Sequence, residues 1–142
     1  CSGYQYGDST IVGFAHTHFN GTGHSDLGDL LVMPTVGPLR LEPGAAENPD
    51  EGYRSRFSHE REKARPGAYT VTLDDYGIDV ELTATQRVGY HRYTFPASDA
   101  AHLIFDVGHP QGELDEAATR KTDPPSNHSL RSVSTAPRPN PG

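Results

Sequence analysis

The chain reads as an all-β protein of antiparallel strands, and three observations predict it. Apolar and polar residues alternate with period two across residues 78–85, where Ile78, Val80, Leu82 and Ala84 interleave with Asp79, Glu81, Thr83 and Thr85. That is the pattern of a half-buried strand with one wet face. Short runs rich in β-branched and aromatic residues are separated by Asp/Gly and Pro/Gly turn signals. Only 33% of the 142 residues are hydrophobic, with 15 glycines and 12 prolines, so the chain has a modest core and many loops.

Taken in order, residues 11–19 and 30–33 read as two strands. Residues 37–52 carry Pro38, Pro43 and Pro49 and read as loop. Residues 54–65 have no clear periodicity. A helical turn starting near Ser58 and reaching Ala64 is expected, although Arg61 stands where a capping box needs an acid. Pro66-Gly67 ends it. Residues 68–73 are a strand with Tyr69, Val71 and Leu73 on one face. Asp74-Asp75-Tyr76-Gly77 is a turn, because Asp bonds its own backbone and Gly supplies positive φ. Residues 78–85 return, residues 88–95 follow until Pro96, and residues 103–107 run until Gly108-His109-Pro110. Sequential strands of this kind suggest a meander. Residues 112–142 hold Pro124, Pro125, Pro137, Pro139 and Pro141 and almost nothing apolar, which predicts a disordered C-terminal tail. The expected organisation is one domain over residues 1–110 and a low-complexity tail over residues 111–142.

A net charge of -7 argues against nucleic acid or an anionic membrane as partner. No apolar run approaches the ~20 residues of a membrane-spanning helix. The single Cys1 cannot close an internal disulfide. No secretory leader is visible, and a chain opening on Cys1 reads as a fragment or a processed product.

The candidate site lies between Gly13 and Asp29, where three histidines, two aspartates and several glycines crowd together. His16 and His18, two apart, would share one face of a strand. With His24, Asp26 and Asp29 nearby, a zinc or iron site is one reading. Histidines that bond loop backbone and shape a pocket are the plainer one. Gly21-Thr22-Gly23 could cradle a phosphate, but no P-loop lysine follows. A tight turn that lets another surface approach fits it better. His59, Glu60 and Glu62 read as a solvated or interface loop, and His91 as a buried or interface histidine. Asp74, Asp75 and Asp79 are explained by their turn. An inverting glycosidase needs two carboxyls about 6.5–9.5 Å apart, and no convincing pair is visible. Catalysis by this chain alone is not expected, and no metal is expected on it.

Three ordered blocks resemble one family. The first is Gly13-Phe14-Ala15-His16-Thr17-His18-Phe19-Asn20-Gly21-Thr22-Gly23, with Ser25-Asp26-Leu27-Gly28-Asp29 after it. The second is Phe57-Ser58-His59-Glu60-Arg61-Glu62-Lys63-Ala64-Arg65-Pro66-Gly67-Ala68-Tyr69. The third is Leu73-Asp74-Asp75-Tyr76-Gly77 with the run from Glu81 to Pro96. Together they resemble the N-terminal domain of glycoside hydrolase family 92, the exo-acting α-mannosidases, over residues 2–110. The resemblance implies a β-sandwich of the mutarotase-like supersandwich kind, incomplete because its opening strands are missing. It implies an (α/α)6 catalytic barrel as partner in the same polypeptide, a mannose-containing glycan as substrate, and calcium held mainly in that barrel. It implies a secreted or periplasmic parent with an inverting mechanism. The sugar-facing residues it implies are His16, His18, Gly21, Thr22, Gly23, His24, Asp26 and Asp29. Many members carry cysteine where this chain has His24. A free-standing carbohydrate-binding module and a small His-x-His metal enzyme stand as the alternatives.

Overall fold

The computed structural model describes residues 4–16, 30–107 and 131–135, the last as backbone. Nine strands account for its regular structure: β1 (Thr10–Ile11), β2 (Leu31–Val36), β3 (Ser55–Arg56), β4 (Glu62–Arg65), β5 (Ala68–Leu73), β6 (Ile78–Ala84), β7 (Gly89–Thr94), β8 (Ala101–Asp106) and β9 (Arg131–Thr135). The described helical residues form two single 3-10 turns, Pro49–Glu51 and His59–Arg61. Every strand pairing is antiparallel.

The order β4-β5-β6-β7 is an unbroken meander. Its register puts Val71, Val80 and Tyr93 in one row and Thr70, Glu81 and Arg92 in the next. Val71 and Val80 are buried, whereas Arg92 is exposed. A slip of one residue would send the apolar row to water, so the alternation itself fixes the pairing. Gly77 closes the β5–β6 turn at φ 62, with its N–H donating to the Leu73 carbonyl at 2.8 Å.

The second sheet has the order β2-β8-β9. Here the meander expectation fails: β8 crosses to pair with β2, across a sequence gap of more than sixty residues, and does not continue from β7. β2 is buried at Leu31, Met33, Pro34 and Thr35, thus on both faces of the strand. Pro34 costs the ladder nothing. Val32 exchanges both of its backbone bonds with Phe14, at 2.9 Å each, and Gly37 donates to Ala100 on the β8 side. Even-numbered residues of β2 therefore turn their backbone away from β8, and the absent N–H of Pro34 falls on that side.

The two larger sheets share one core of Phe14, Met33, Tyr53, Val71, Leu73, Ile78, Val80 and Ile104. Each such side chain contributes about 1.5–3 kcal/mol by leaving water. Buried polar groups accompany it: the Tyr53 hydroxyl donates to Asp106 at 3.0 Å, and the Tyr76 hydroxyl donates to the Tyr53 carbonyl at 3.0 Å.

Several expectations shift. The strand expected over residues 11–19 is the two-residue β1 and an isolated bridge at Phe14, with residues 17–19 outside the described part. The turn near Ser58 exists but is short, because Ser58 caps Glu60 N–H and the chain then extends into β4. The expectation that residues 112–142 lack regular structure is corrected at β9, which pairs with β8 from Asp106↔Arg131 to His102↔Thr135. Arg-Ser-Val-Ser-Thr is too short for period-two alternation to stand out, while the open edge of β8 supplies the backbone partners.

Candidate functional site

Of the eight expected site residues, the described structure contains His16. His18, Gly21, Thr22, Gly23, His24, Asp26 and Asp29 lie outside the described residues. His16 follows the Phe14–Val32 bridge and reaches across to β7. Its ring centroid is 4.7 Å from that of His91, with the planes tilted by 54°. Gly89, at the start of β7, sits directly beneath it: a Cβ there would meet His16 Cδ2 at 2.4 Å and Cγ at 2.5 Å. Two residues earlier than His16 on the same side, Phe14 packs on Tyr93 with centroids 6.5 Å apart. The Tyr93 hydroxyl and His91 Nδ1 share a hydrogen bond of 2.5 Å.

The electrostatics of this cluster follow from its burial. Burial first, and then the neighbouring His16 imidazole, hold His91 below the usual histidine value, so it is biased towards the neutral form. Burial likewise pushes the Tyr93 phenol above its ordinary range. The His91 imidazole, the Tyr93 phenol and the His16 imidazole make a polar shelf that can give and accept hydrogen bonds. Among the described residues no group of three His, Cys, Asp or Glu side chains could hold a metal ion, so the described part has no donor set for the calcium that the family resemblance implies.

Sequence reasoning placed His91 in a buried or interface setting but did not connect it with His16. The available signal was Gly89: a glycine opening a Tyr- and Thr-rich strand marks a place where something approaches closely. Glu62 also departs from expectation. Its side chain is 6% exposed, buried within the domain, where a solvated or interface loop was expected. It accepts from Tyr69 at 2.6 Å, from Tyr4 at 3.1 Å and pairs with His59 Nδ1 at 2.5 Å. Burial opposes its charge, but these partners prevail and hold its carboxyl below the usual range. The bond from Glu62 raises His59 against the opposing effect of desolvation. The Tyr6 ring stacks on His59 at 4.2 Å, and the Tyr6 carbonyl lies 2.9 Å from His59 Nε2. This is a clasp for the segment before β1.

Several other paired acidic groups serve the fold. Arg56 bridges Asp50 at 2.9 Å and Asp75 at 2.8 Å, and Arg61 pairs with Asp74. A cavity of about 230 Å³ beside them is lined by Val36, Arg40, Asp50, Arg54 and Tyr76 among others. Its arginines are engaged: Arg54 bonds Thr10 and the Gly44 carbonyl, and Arg40 bonds the Gly52 carbonyl. Asp79 accepts from Thr72 within the sheet.

The described residues thus form an antiparallel all-β domain that carries a His-lined shelf. The family model of the glycosyl hydrolase family 92 N-terminal domain matches residues 1–135, and the chain belongs to this family. It is similar to the family GH92 alpha-mannosidase from Bacteroides thetaiotaomicron, in a structure in complex with mannoimidazole and in a second one. Both show 49% identity and a TM-score of 0.74, and cover 78% of this chain. It is also similar to a gh92 family glycosyl hydrolase at 37% identity and a TM-score of 0.63, again over 78% of this chain. The match spans only 14% or 15% of the length of those chains. No curated protein matches the chain significantly. No helix among the described residues is long and apolar enough to cross a membrane.

Proposed function

We propose that this chain is the accessory β-sandwich of an exo-acting α-mannosidase, packing against a separate catalytic barrel and forming one wall of the mannose pocket. The observation that carries this reading is the 49% identity to a domain of an alpha-mannosidase with the same backbone course. A glycan with terminal mannose is the substrate class, and the acid, the base and the calcium belong to the barrel. The family resemblance implies that hydrolysis there proceeds with inversion, which requires two barrel carboxyls about 6.5–9.5 Å apart. The segment from His16 to Asp29 faces the sugar: its glycines bring backbone close, and its His and Asp side chains hold hydroxyls by a few fixed polar contacts.

The test is turnover of an aryl α-mannoside by the full-length enzyme carrying this domain. His16→Ala and Asp29→Ala should each weaken turnover while calcium binding in the barrel stays intact. Unchanged kinetics in both would remove the pocket role. Cleavage by this chain in the absence of the barrel, abolished by a substitution within it, would overturn the accessory reading altogether.

A further inference from the structure

We propose that Gly89, His91 and Tyr93 of β7 are positioning residues that seat His16 and so fix where the glycine-rich segment leaves the sandwich. The proposal rests on the reading that this segment faces the sugar. Three observations converge on it. First, the need for glycine at position 89 is one of space. Its φ lies outside the left-handed region, so the backbone would accept any residue, yet a Cβ would lie 2.4 Å from the His16 ring. Real Cβ contacts do not occur at that distance, and Gly89 is therefore the floor on which His16 lies. Second, His91 walls the ring on the same strand, 4.7 Å away, two residues along and on the inward face with Leu82 opposite. Third, the wall is itself fixed. Tyr93 Oη holds His91 Nδ1 at 2.5 Å, and Phe14, two residues before His16, packs on Tyr93. Phe14 in turn is locked by two backbone bonds to Val32.

The chain of contacts thus runs from β2 through Phe14 to Tyr93, His91 and back to His16. A side chain seated on one strand, with its backbone held two residues earlier by the other sheet, is an arrangement by which a scaffold can place a binding residue precisely. Small displacements at such a point act at a distance on affinity. None of these three β7 residues needs to touch sugar.

The experiment uses the full-length enzyme carrying this domain, with an aryl α-mannoside. Gly89→Ala should raise KM about tenfold with kcat changed less than about twofold. Tyr93→Phe, which keeps the packing and removes the bond to His91, should raise KM by a smaller factor in the same direction, as should His91→Gln. Adding His16→Gly to Gly89→Ala should restore thermal stability, because the methyl group then has room, but not KM. A merely structural seat would show the stability loss and its rescue with KM unmoved in all three single variants, which overturns the proposal. If Gly89→Ala does not fold, Tyr93→Phe and His91→Gln decide it by the same KM criterion. If His16→Ala raises KM while the β7 variants leave it alone, the seat fails and the sugar-facing segment stands. If His16→Ala changes nothing, the segment reading fails and the seat falls with it.

Discussion

β6 and β2 bury their residues in opposite ways. In β6, Ile78 and Val80 are fully buried while Asp79 and Thr83 face water. In β2, Met33, Pro34 and Thr35 are buried in succession. The first strand is the wall of a sandwich, with one side for the core and one for solvent. The second is a middle layer, enclosed from both sides. A wall writes its geometry into the sequence as period two, whereas a middle layer writes only a continuous apolar run. The polar residues differ in kind as well. On the meander they form surface pairs such as Glu81 with Arg92. In the enclosed sheet they are internal: Asp106 accepts from Tyr53, whereas Thr35 Oγ1 and His102 Nδ1 are buried without a hydrogen-bond partner among the described residues.

The sharpest way to break this contrast is a charge placed at adjacent positions. Pro34→Asp and Thr35→Asp should each cost several kcal/mol, ~3 or more, because either side chain is then an unpaired charge in the interior. Val80→Asp should do the same in β6, but Thr94→Lys at the exposed end of β7, opposite Asp79, should shift stability by less than ~0.5 kcal/mol. Urea unfolding of the domain-bearing protein reads all four. A tolerant Pro34 or Thr35 would mean that β2 has a wet side after all.

Next in size is Glu62, an enclosed carboxylate on the meander side that breaks the wall pattern. Glu62→Ala leaves Tyr69 and His59 without their acceptor and should cost ~1–3 kcal/mol. Its pH dependence follows from the two shifts. Glu62 is held low, so its contribution is present above the unfolded carboxylate value of about 4.3 and is lost as pH falls through the folded value. His59 is raised, so its contribution is complete below the unfolded value of about 6.5 and is lost as pH rises through the folded one. Amide exchange at Asp8, whose N–H bonds the Gln5 carbonyl within the clasped segment, should therefore be slowest, after correction for its intrinsic rate, between about pH 4.3 and 6.5. A monotonic dependence across that window would separate the segment from the clasp.

Smaller still, Gly77→Ala forces a Cβ into the left-handed region at φ 62 and should cost ~1–2 kcal/mol, with Gly77→Asn milder. The smallest effect belongs to the outer face. Arg92→Ala removes an exposed ion pair with Glu81 and should change stability by under ~1 kcal/mol, less at high salt. A larger loss would show that the outer face of the meander is not simply solvated.

These differences explain what could be read in advance. The strands over residues 68–73 and 78–85 were legible nearly to the residue, because alternation and the Asp-Asp-Tyr-Gly turn act locally. The end of β2 was not, since Pro34 argues against a strand unless it is known which side its missing N–H faces. β3 has two residues and β9 five, too few for a period. The pairing of β8 with β2 is a long-range choice that no local pattern records. The family was legible because its motifs are local strings. At the site, the sequence pointed to His16 but not to its neighbours on β7, since Gly89, His91 and Tyr93 come near it only through the packing of two sheets.

Pro34 has a consequence for how the domain behaves in company. A strand approaching β2 from the side away from β8 can bond at Val32 only as Phe14 already does, and finds no donor at the next position it needs. The ladder is capped there as a zip is capped by its end stop. A stray chain, or a second copy of this domain, meets a blunted margin there, so extension of the sheet at β2 is disfavoured by a single missing hydrogen.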